Sequence, residues 1–219
     1  VGTANADYAT LEQMLFALAS CGVNGPLTIK LAAGEYGPIV MPEIDGTSAT
    51  AYVQFEPVGD SGSVVFRNDL PTSNSLIDMQ NCQHFRLANL VFRRNATDAS
   101  VTYMVRMGVR STGCQVLNCG FVDNVQPYTT TALLYTGAAP SILIEECSFT
   151  GGVTGINATG FASDNLTSGN VIVNNFFADQ NNNAIIASNQ NGVIIQGNFM
   201  NNVLTNAGYM LQMLHCYGS

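Results

Sequence analysis

The chain has 219 residues, 47% of them hydrophobic and only 10% charged, and seven basic residues against fifteen acidic ones leave a net charge of −8. That length suits one domain, or two small ones, with an ample core. The apolar content excludes disorder, and the scarcity of Lys and Arg excludes a nucleic-acid binder, which needs a basic stripe to meet phosphate. Because charges fall far below the usual quarter of a chain, Asn, Ser, Thr and Gly have to supply the water-facing surface. No run approaches the roughly 20 apolar residues of a membrane span. No charged-then-apolar leader opens the chain, so its first residue is expected to lie inside a mature or trimmed protein.

The first predicted element is a helix within Asp7–Ser20, where apolar residues recur at helical spacing between an Asp or Thr N-cap and the stop Cys21-Gly22. The alternating run Leu27-Thr28-Ile29-Lys30-Leu31 predicts a strand, Ala33-Gly34-Glu35-Tyr36 a turn, and Ile39–Met41, Ala51–Phe55 and Ser63–Phe66 further strands.

From residue 76 onward two interleaved strand families repeat. The first comprises Leu87-x-x-Leu90-x-Phe92, Val116-x-x-Cys119-x-Phe121, Ile144-x-x-Cys147-x-Phe149, Ile172-x-x-Asn175-x-Phe177 and Ile194-x-x-Gly197-x-Phe199, with the phenylalanines 29, 28, 28 and 22 residues apart. The second comprises Leu76–Met79, Met104–Met107, Leu133–Tyr135, Gly155–Asn157, Ile185–Ala187 and Met210–Met213. Asn, Gly and Ser clusters such as Asn181-Asn182-Asn183 punctuate them as turns. Short strands at a period of 22 to 29 residues predict an all-β parallel solenoid. A β-sandwich also spaces its strands regularly, but it does not require one residue type at one phase in five successive units. The helix then serves as an end cap, giving a cap over residues 1–25 and coils over 26–219. The coil around Tyr209–Met213 shows no cap of its own, so a further segment is expected to abut it.

The phase assigns roles. Phe92, Phe121, Phe149, Phe177 and Phe199 are expected in one interior column. Asn89, Asn118, Glu146, Asn174 and Gln196, each three residues before a phenylalanine, are expected to form a polar turn ladder, and Arg94 and Asp123 an inter-coil ion pair. Cys119 and Cys147 share an inward position. Their parallel Cβ directions disfavour the dihedral a disulfide needs, so all six cysteines are expected to be mostly unpaired thiols. No C-x-x-C pair occurs, and His84 and His215 do not stand at zinc spacing, so no metal or cofactor is expected.

The runs Asp7-Tyr8-Ala9-Thr10-Leu11, Gly25-Pro26-Leu27-Thr28-Ile29, Gly34-Glu35-Tyr36 and Ile44-Asp45-Gly46-Thr47-Ser48 resemble the opening of pectin-lyase-like right-handed parallel β-helix proteins. They are closest to the repeat domains of large secreted or surface proteins of Bacteroidota-type bacteria. The resemblance implies an extracellular or cell-surface location, a larger parent polypeptide and a carbohydrate-rich setting. Its motifs specify cap and coils, not chemistry.

The residues themselves give a reaction centre little support. Hydrolysis of a glycosidic bond needs two carboxylates across it, and the one acidic doublet, Glu145-Glu146, points to opposite faces if it lies in a strand. A β-elimination site needs a base with calcium or arginine beside it. Arg106 and Arg110 stand without acidic calcium ligands, and the lone lysine, Lys30, lies in an early strand. No serine is framed for a triad with either histidine, and both read as surface or turn residues. What remains is the outward row of the second family: Asp78, Arg106, Tyr135, Asn157, Ala187 and Gln212. An acid, a guanidinium, a phenol and two amides in line match the planar groups that bind sugars, although Asp78 and Arg106 could simply pair with each other. The expected function is a structural or adhesive β-helix module with a polysaccharide or surface glycan as partner, held through Asp78, Arg106, Tyr135, Asn157 and Gln212. The alternative is a polysaccharide lyase or glycoside hydrolase of the same fold. Asn95, Asn157 and Asn165 begin N-x-T glycosylation sequons.

Overall fold

The computed structural model describes residues 1–2, 6–67, 74–94, 102–123, 131–160 and 166–201, and the backbone alone of 212–217. The single helix among these, α1 (Leu11–Cys21), starts where Thr10 adopts extended geometry and its hydroxyl accepts the Gln13 N–H at 3.3 Å. It stops at Gly22, whose φ of 66° lets its N–H turn back to the Leu18 carbonyl. Leu11, Met14 and Leu15 bury its inner face against the first coil.

All paired strands run parallel, and three seven-stranded sheets wrap one core. Sheet A stacks Leu27–Leu31, Val53–Pro57, Phe85–Ala88, Gln115–Leu117, Leu143–Glu145, Val171–Val173 and Ile194–Gln196. Sheet B stacks Gly34–Tyr36, Val64–Phe66, Val91–Arg94, Gly120–Asp123, Ser148–Gly151, Phe176–Ala178 and Phe199–Asn201. Sheet C stacks Ile39–Val40, Ser75–Asp78, Tyr103–Arg106, Ala132–Tyr135, Thr154–Thr159, Asn183–Ser188 and Gln212–Tyr217. The chain visits A, B and C in turn and then returns to A one coil on. This is an all-β parallel β-helix.

Period-two alternation in strands of three to five residues buries every second side chain. On sheet A the register aligns Ile29, Phe55, Leu87, Val116, Ile144, Ile172 and Ile195. On sheet B, Phe66, Phe92, Phe121, Phe149 and Phe177 are fully buried, with consecutive ring centroids 5.7, 4.8, 4.7 and 4.9 Å apart. Four of the five expected phenylalanines therefore share the column, and Phe66 extends it. Phe199 does not belong to it. It pairs in register with Phe176, is 62% exposed and stacks on that ring at 5.8 Å, while Met200 takes the place beside Phe177. The last coil advances 23 residues, from Phe177 to Met200, where the phenylalanine spacing gives 22, and a one-residue shift moves a side chain to the other face of a strand.

The corner between sheets A and B needs one residue per coil in the left-handed region. Asn89, Asn118, Glu146 and Asn174 supply it at φ 60°, 48°, 55° and 57°, a conformation asparagine tolerates better than most residues. Asn118 Nδ2 donates to Asn89 Oδ1 at 2.7 Å, the first rung of the expected ladder. In the last coil the corner residue is Gly197 (φ 67°) rather than Gln196. A Cβ there would collide with Asn174 Oδ1 at 2.2 Å.

The next residue of each corner points inward, and there thiols and amides do the same work. Cys119 and Cys147 donate Sγ–H to the Leu87 and Val116 carbonyls of the preceding coil. Asn175 and Asn198 donate Nδ2–H to the Ile144 and Ile172 carbonyls in the same way. Three of the four also accept a backbone N–H: Cys147 Sγ from Cys119, Asn175 Oδ1 from Cys147, and Asn198 Oδ1 from Asn175. The thiols thus behave as polar rungs as well as small hydrophobes. Cys21, Cys82, Cys114, Cys119 and Cys147 are all unpaired. Burial, reinforced by neighbouring Cys147, pushes the Cys119 thiol well above its ordinary range. The side chain of Cys216 lies outside the described residues.

Arg94 and Asp123 pair as expected, in register on sheet B, with Nη1 3.2 and 3.3 Å from the two carboxylate oxygens. The pair is buried rather than superficial, Arg94 at 7% and Asp123 at 0% exposure.

Candidate functional site

The middle strands of sheet C carry two or three buried residues in succession before a half-exposed one, and Tyr103–Arg106 is half-exposed at both ends. Ser75–Ile77 and Ala132–Leu134 are buried, whereas Asp78 and Tyr135 are half-exposed. The exposed positions align across coils, pairing Val40 with Asp78, Asp78 with Arg106, Arg106 with Tyr135, Tyr135 with Asn157, and Asn157 with Ile186. Four of the predicted site residues, Asp78, Arg106, Tyr135 and Asn157, therefore stand in one line on consecutive coils, roughly 4.8 Å apart.

The other two predicted members of the row do not join it. Ala187 is buried at 2% exposure, and Ile186 holds the row position instead. Gln212 pairs with Asn183, three residues upstream of the row, and the backbone register puts His215 opposite Ile186. The Ala187 expectation aligns the apolar doublet Ile185-Ile186 with Leu133-Leu134, whereas Ile185 aligns with Ile156 and, through it, with Leu134; Gln212 lies three residues out of register rather than one.

Tyr103 was missed, and it completes the site. It lies three residues upstream of Arg106, and its ring stacks on Tyr135 with centroids 4.7 Å apart at 27°. The Arg106 guanidinium carbon lies 5.8 Å from the Tyr103 centroid, within the reach of a cation–π contact. The signal in the sequence was the pair of tyrosines at the two ends of corresponding strands, Tyr103 opening one and Tyr135 closing another.

The alternative reading, in which Asp78 and Arg106 simply pair with each other, does not hold among the described residues. The Asp78 carboxylate is instead folded onto Gln80, accepting its backbone N–H at 3.1 Å and its Nε2–H at 3.0 Å. Gly108 leaves room for this arrangement, since a Cβ there would touch Gln80 Cβ and Cγ at 3.3 Å. Arg106 Nε is buried with no hydrogen-bond partner, leaving the guanidinium held by ring contact rather than by an acid. Burial raises the Tyr135 phenol above its ordinary range, Tyr103 adds to the shift, and the Arg106 charge opposes it. Gly137 (φ 54°) clears the ring, because a Cβ there would lie 3.1 Å from Tyr135 Cε1. Asn157 Oδ1 accepts a hydrogen bond from Thr159 Oγ1, which orients the amide at the end of the line.

The remaining candidates stay apart. Glu146 is a corner residue and Glu145 lies on sheet A, so neither faces the row. Lys30 is tied to Glu56 across sheet A. His84 is a turn residue with φ 49°. Among the described residues no three His, Cys, Asp or Glu side chains gather closely enough to hold a metal ion. A cavity of about 610 Å³ lies at the seam between α1 and the first coil, but its lining is mostly apolar and its one lysine is committed to Glu56. No helix among the described residues is long and apolar enough to cross a membrane.

No protein-family model matches the chain, and no curated protein matches it. Among solved structures it is similar to the deglycosylated pectin methylesterase from Aspergillus niger, at 11% identity and a TM-score of 0.48, over 99% of this chain and 84% of that one.

Proposed function

We propose that this protein is a rigid β-helix module that binds carbohydrate along the open end of sheet C. The observation that supports it best is the stacked Tyr103–Tyr135 pair flanked by Arg106, Asp78 and Asn157 on consecutive coils. Tyrosine offers a rigid apolar face with a polar tip at small entropic cost. A guanidinium, a carboxylate and an amide in one line suit the repeated hydroxyl pattern of a sugar chain. Because the row is carried by a stacked core rather than by loops, its geometry is set before the ligand arrives, which reduces the ordering cost of binding. Binding without turnover fits a row whose carboxylate comes from Asp78 alone, since hydrolysis of a glycosidic bond calls on two. The setting we propose is the cell surface or the extracellular space, where a Lys-poor, Asn-rich coat would face a glycan matrix.

A glycan array on the wild type, run with reducing-sugar and unsaturated-uronate assays on the same panel, tests this reading. Retention of one or more polysaccharides with no release of product supports it. Robust turnover of a uronic-acid polymer would replace the binding module with a lyase or hydrolase.

A further inference from the structure

Sheet A presents a second polar feature at the corner where the chain arrives from sheet C. On sheet A the register aligns Arg86, Gln115, Leu143, Val171 and Ile194, and the residue two places before each lies in the left-handed region: His84 (φ 49°), Gly113 (67°), Ser141 (58°), Gly169 (75°) and Gly192 (67°). Gly113 therefore sits between His84 and Ser141 in the stack. A Cβ there would lie 2.5 Å from His84 Nδ1, so the absence of a side chain at Gly113 is what admits the His84 imidazole to this position in the stack. The imidazole borders a groove of about 210 Å³ lined by Ser48, Tyr52, His84, Arg86, Gln115 and Ser141, together with the small residues Ala49 and Gly113.

The chemistry of this lining is one-sided. The chain carries fifteen acidic residues against seven basic ones, yet no carboxylate lines the groove. Arg86 has no ion-pair partner among the described residues. Its guanidinium carbon lies 3.4 Å from the Tyr52 ring centroid, so one face is covered and the N–H edges stay free. Its neighbours in register, Gln54 and Gln115, are neutral. The nearby acid on that face, Glu56, is held by Lys30 and by Gln54 Nε2. A stacked guanidinium whose edge N–H groups meet no acid is preorganised for edge-on, two-pronged donation to an oxyanion. The volume falls below the roughly 300 to 1,000 Å³ of ordinary ligand pockets, which suits one head group rather than a whole ligand.

We propose that this groove is an anion site that takes a single carboxylate, gripped by the edge of Arg86 with His84, Gln115 and Ser141 as further donors. It lies on a different sheet from the tyrosine row and does not depend on it.

The test is an NMR titration of the whole chain with sodium acetate, and in a second arm sodium glucuronate, at ionic strength held constant with chloride. The Gly113 amide and the Arg86 Nε–H resonances should shift along a saturating curve within tens of millimolar, while the amides of Tyr103 and Tyr135 stay still. Arg86→Gln should weaken the apparent affinity by at least about tenfold, as loss of a charge-assisted two-pronged contact requires. Arg86→Lys, which keeps the charge but not the fork, should fall between the two. Non-saturating shifts spread over all surface amides would overturn the site. So would an unchanged titration in Arg86→Gln, or an Arg86→Lys variant that binds as well as the wild type.

Discussion

Replacing Asn175 with alanine is the sharpest probe of the inward polar ladder. Asn175 is 1% exposed, and its amide accepts the Cys147 N–H at 2.9 Å while donating to Ile144 O at 3.1 Å and to Asn198 Oδ1 at 2.9 Å. Alanine would leave the Cys147 N–H and the Ile144 carbonyl buried without these partners, and each such orphan costs about 1–3 kcal/mol. The small void adds to the loss, so Asn175→Ala should destabilise by about 3–5 kcal/mol. The geometry of Cys147 makes a second forecast possible. Its thiol fills the same position one coil earlier, donating to Val116 O and accepting the Cys119 N–H. Asn175→Cys should therefore recover a good part of the loss, whereas Asn175→Val, equally compact but apolar, should not. The measurement is urea-induced unfolding of the three variants beside the wild type, followed by circular dichroism. A cost below about 1 kcal/mol for Asn175→Ala, or equal stability of the Cys and Val variants, would refute the view that polar satisfaction sets this position.

Phe121→Ala should cost about 3–5 kcal/mol in the same unfolding assay, while Phe199→Ala should change stability little, because Phe199 is exposed and outside the column. Asp123→Ala should cost about 3–5 kcal/mol by stranding the buried Arg94 charge, and the apolar pair Arg94→Met with Asp123→Leu should be the less damaging change. In native protein a thiol reagent should label exposed Cys21 first, and Cys82, Cys114, Cys119 and Cys147 only on unfolding; protection of Cys21 or early labelling of the buried four would contradict the ladder. Ultraviolet titration, taken as the difference from Tyr135→Phe, should place the Tyr135 phenol above the ordinary tyrosine range, and Arg106→Gln should push it higher still by removing the opposing charge; a downward move would place Arg106 away from the ring.

What the sequence revealed follows from how solenoids repeat. Wherever the spacing stayed at 28 or 29 residues, phase alone placed Phe92 through Phe177, the Asn89–Asn118 rung, the shared position of Cys119 and Cys147, and the Arg94–Asp123 pair. The reading failed where the spacing changed. Aligning Phe199 with Phe177 required a 22-residue step, but Asn198 and Met200 continue Asn175 and Phe177 at 23. The repeated inward asparagine was the better marker, because an exposed phenylalanine can mimic a core one and a buried amide that must reach two backbones cannot. The candidate row suffered in the same way, since Ile185-Ile186 contains an inward and an outward residue that hydropathy does not distinguish. Tyr103 was hidden because stacking between strand ends in neighbouring coils depends on register, which residue type does not carry. The place of His84 was hidden for a different reason: its ring lies where a side chain is missing at Gly113.

The most direct measurement is isothermal titration of the polysaccharide best retained on the array into wild-type protein and into the double variant Arg106→Gln, Tyr135→Leu. Both positions are half-exposed at strand ends, so the variant should fold as the wild type does. Sugar recognition by the row requires saturable binding by the wild type and a loss of at least about tenfold in the variant, equivalent to about 1.4 kcal/mol. Equal affinity in a folded double variant would remove the row from sugar recognition and contradict the account.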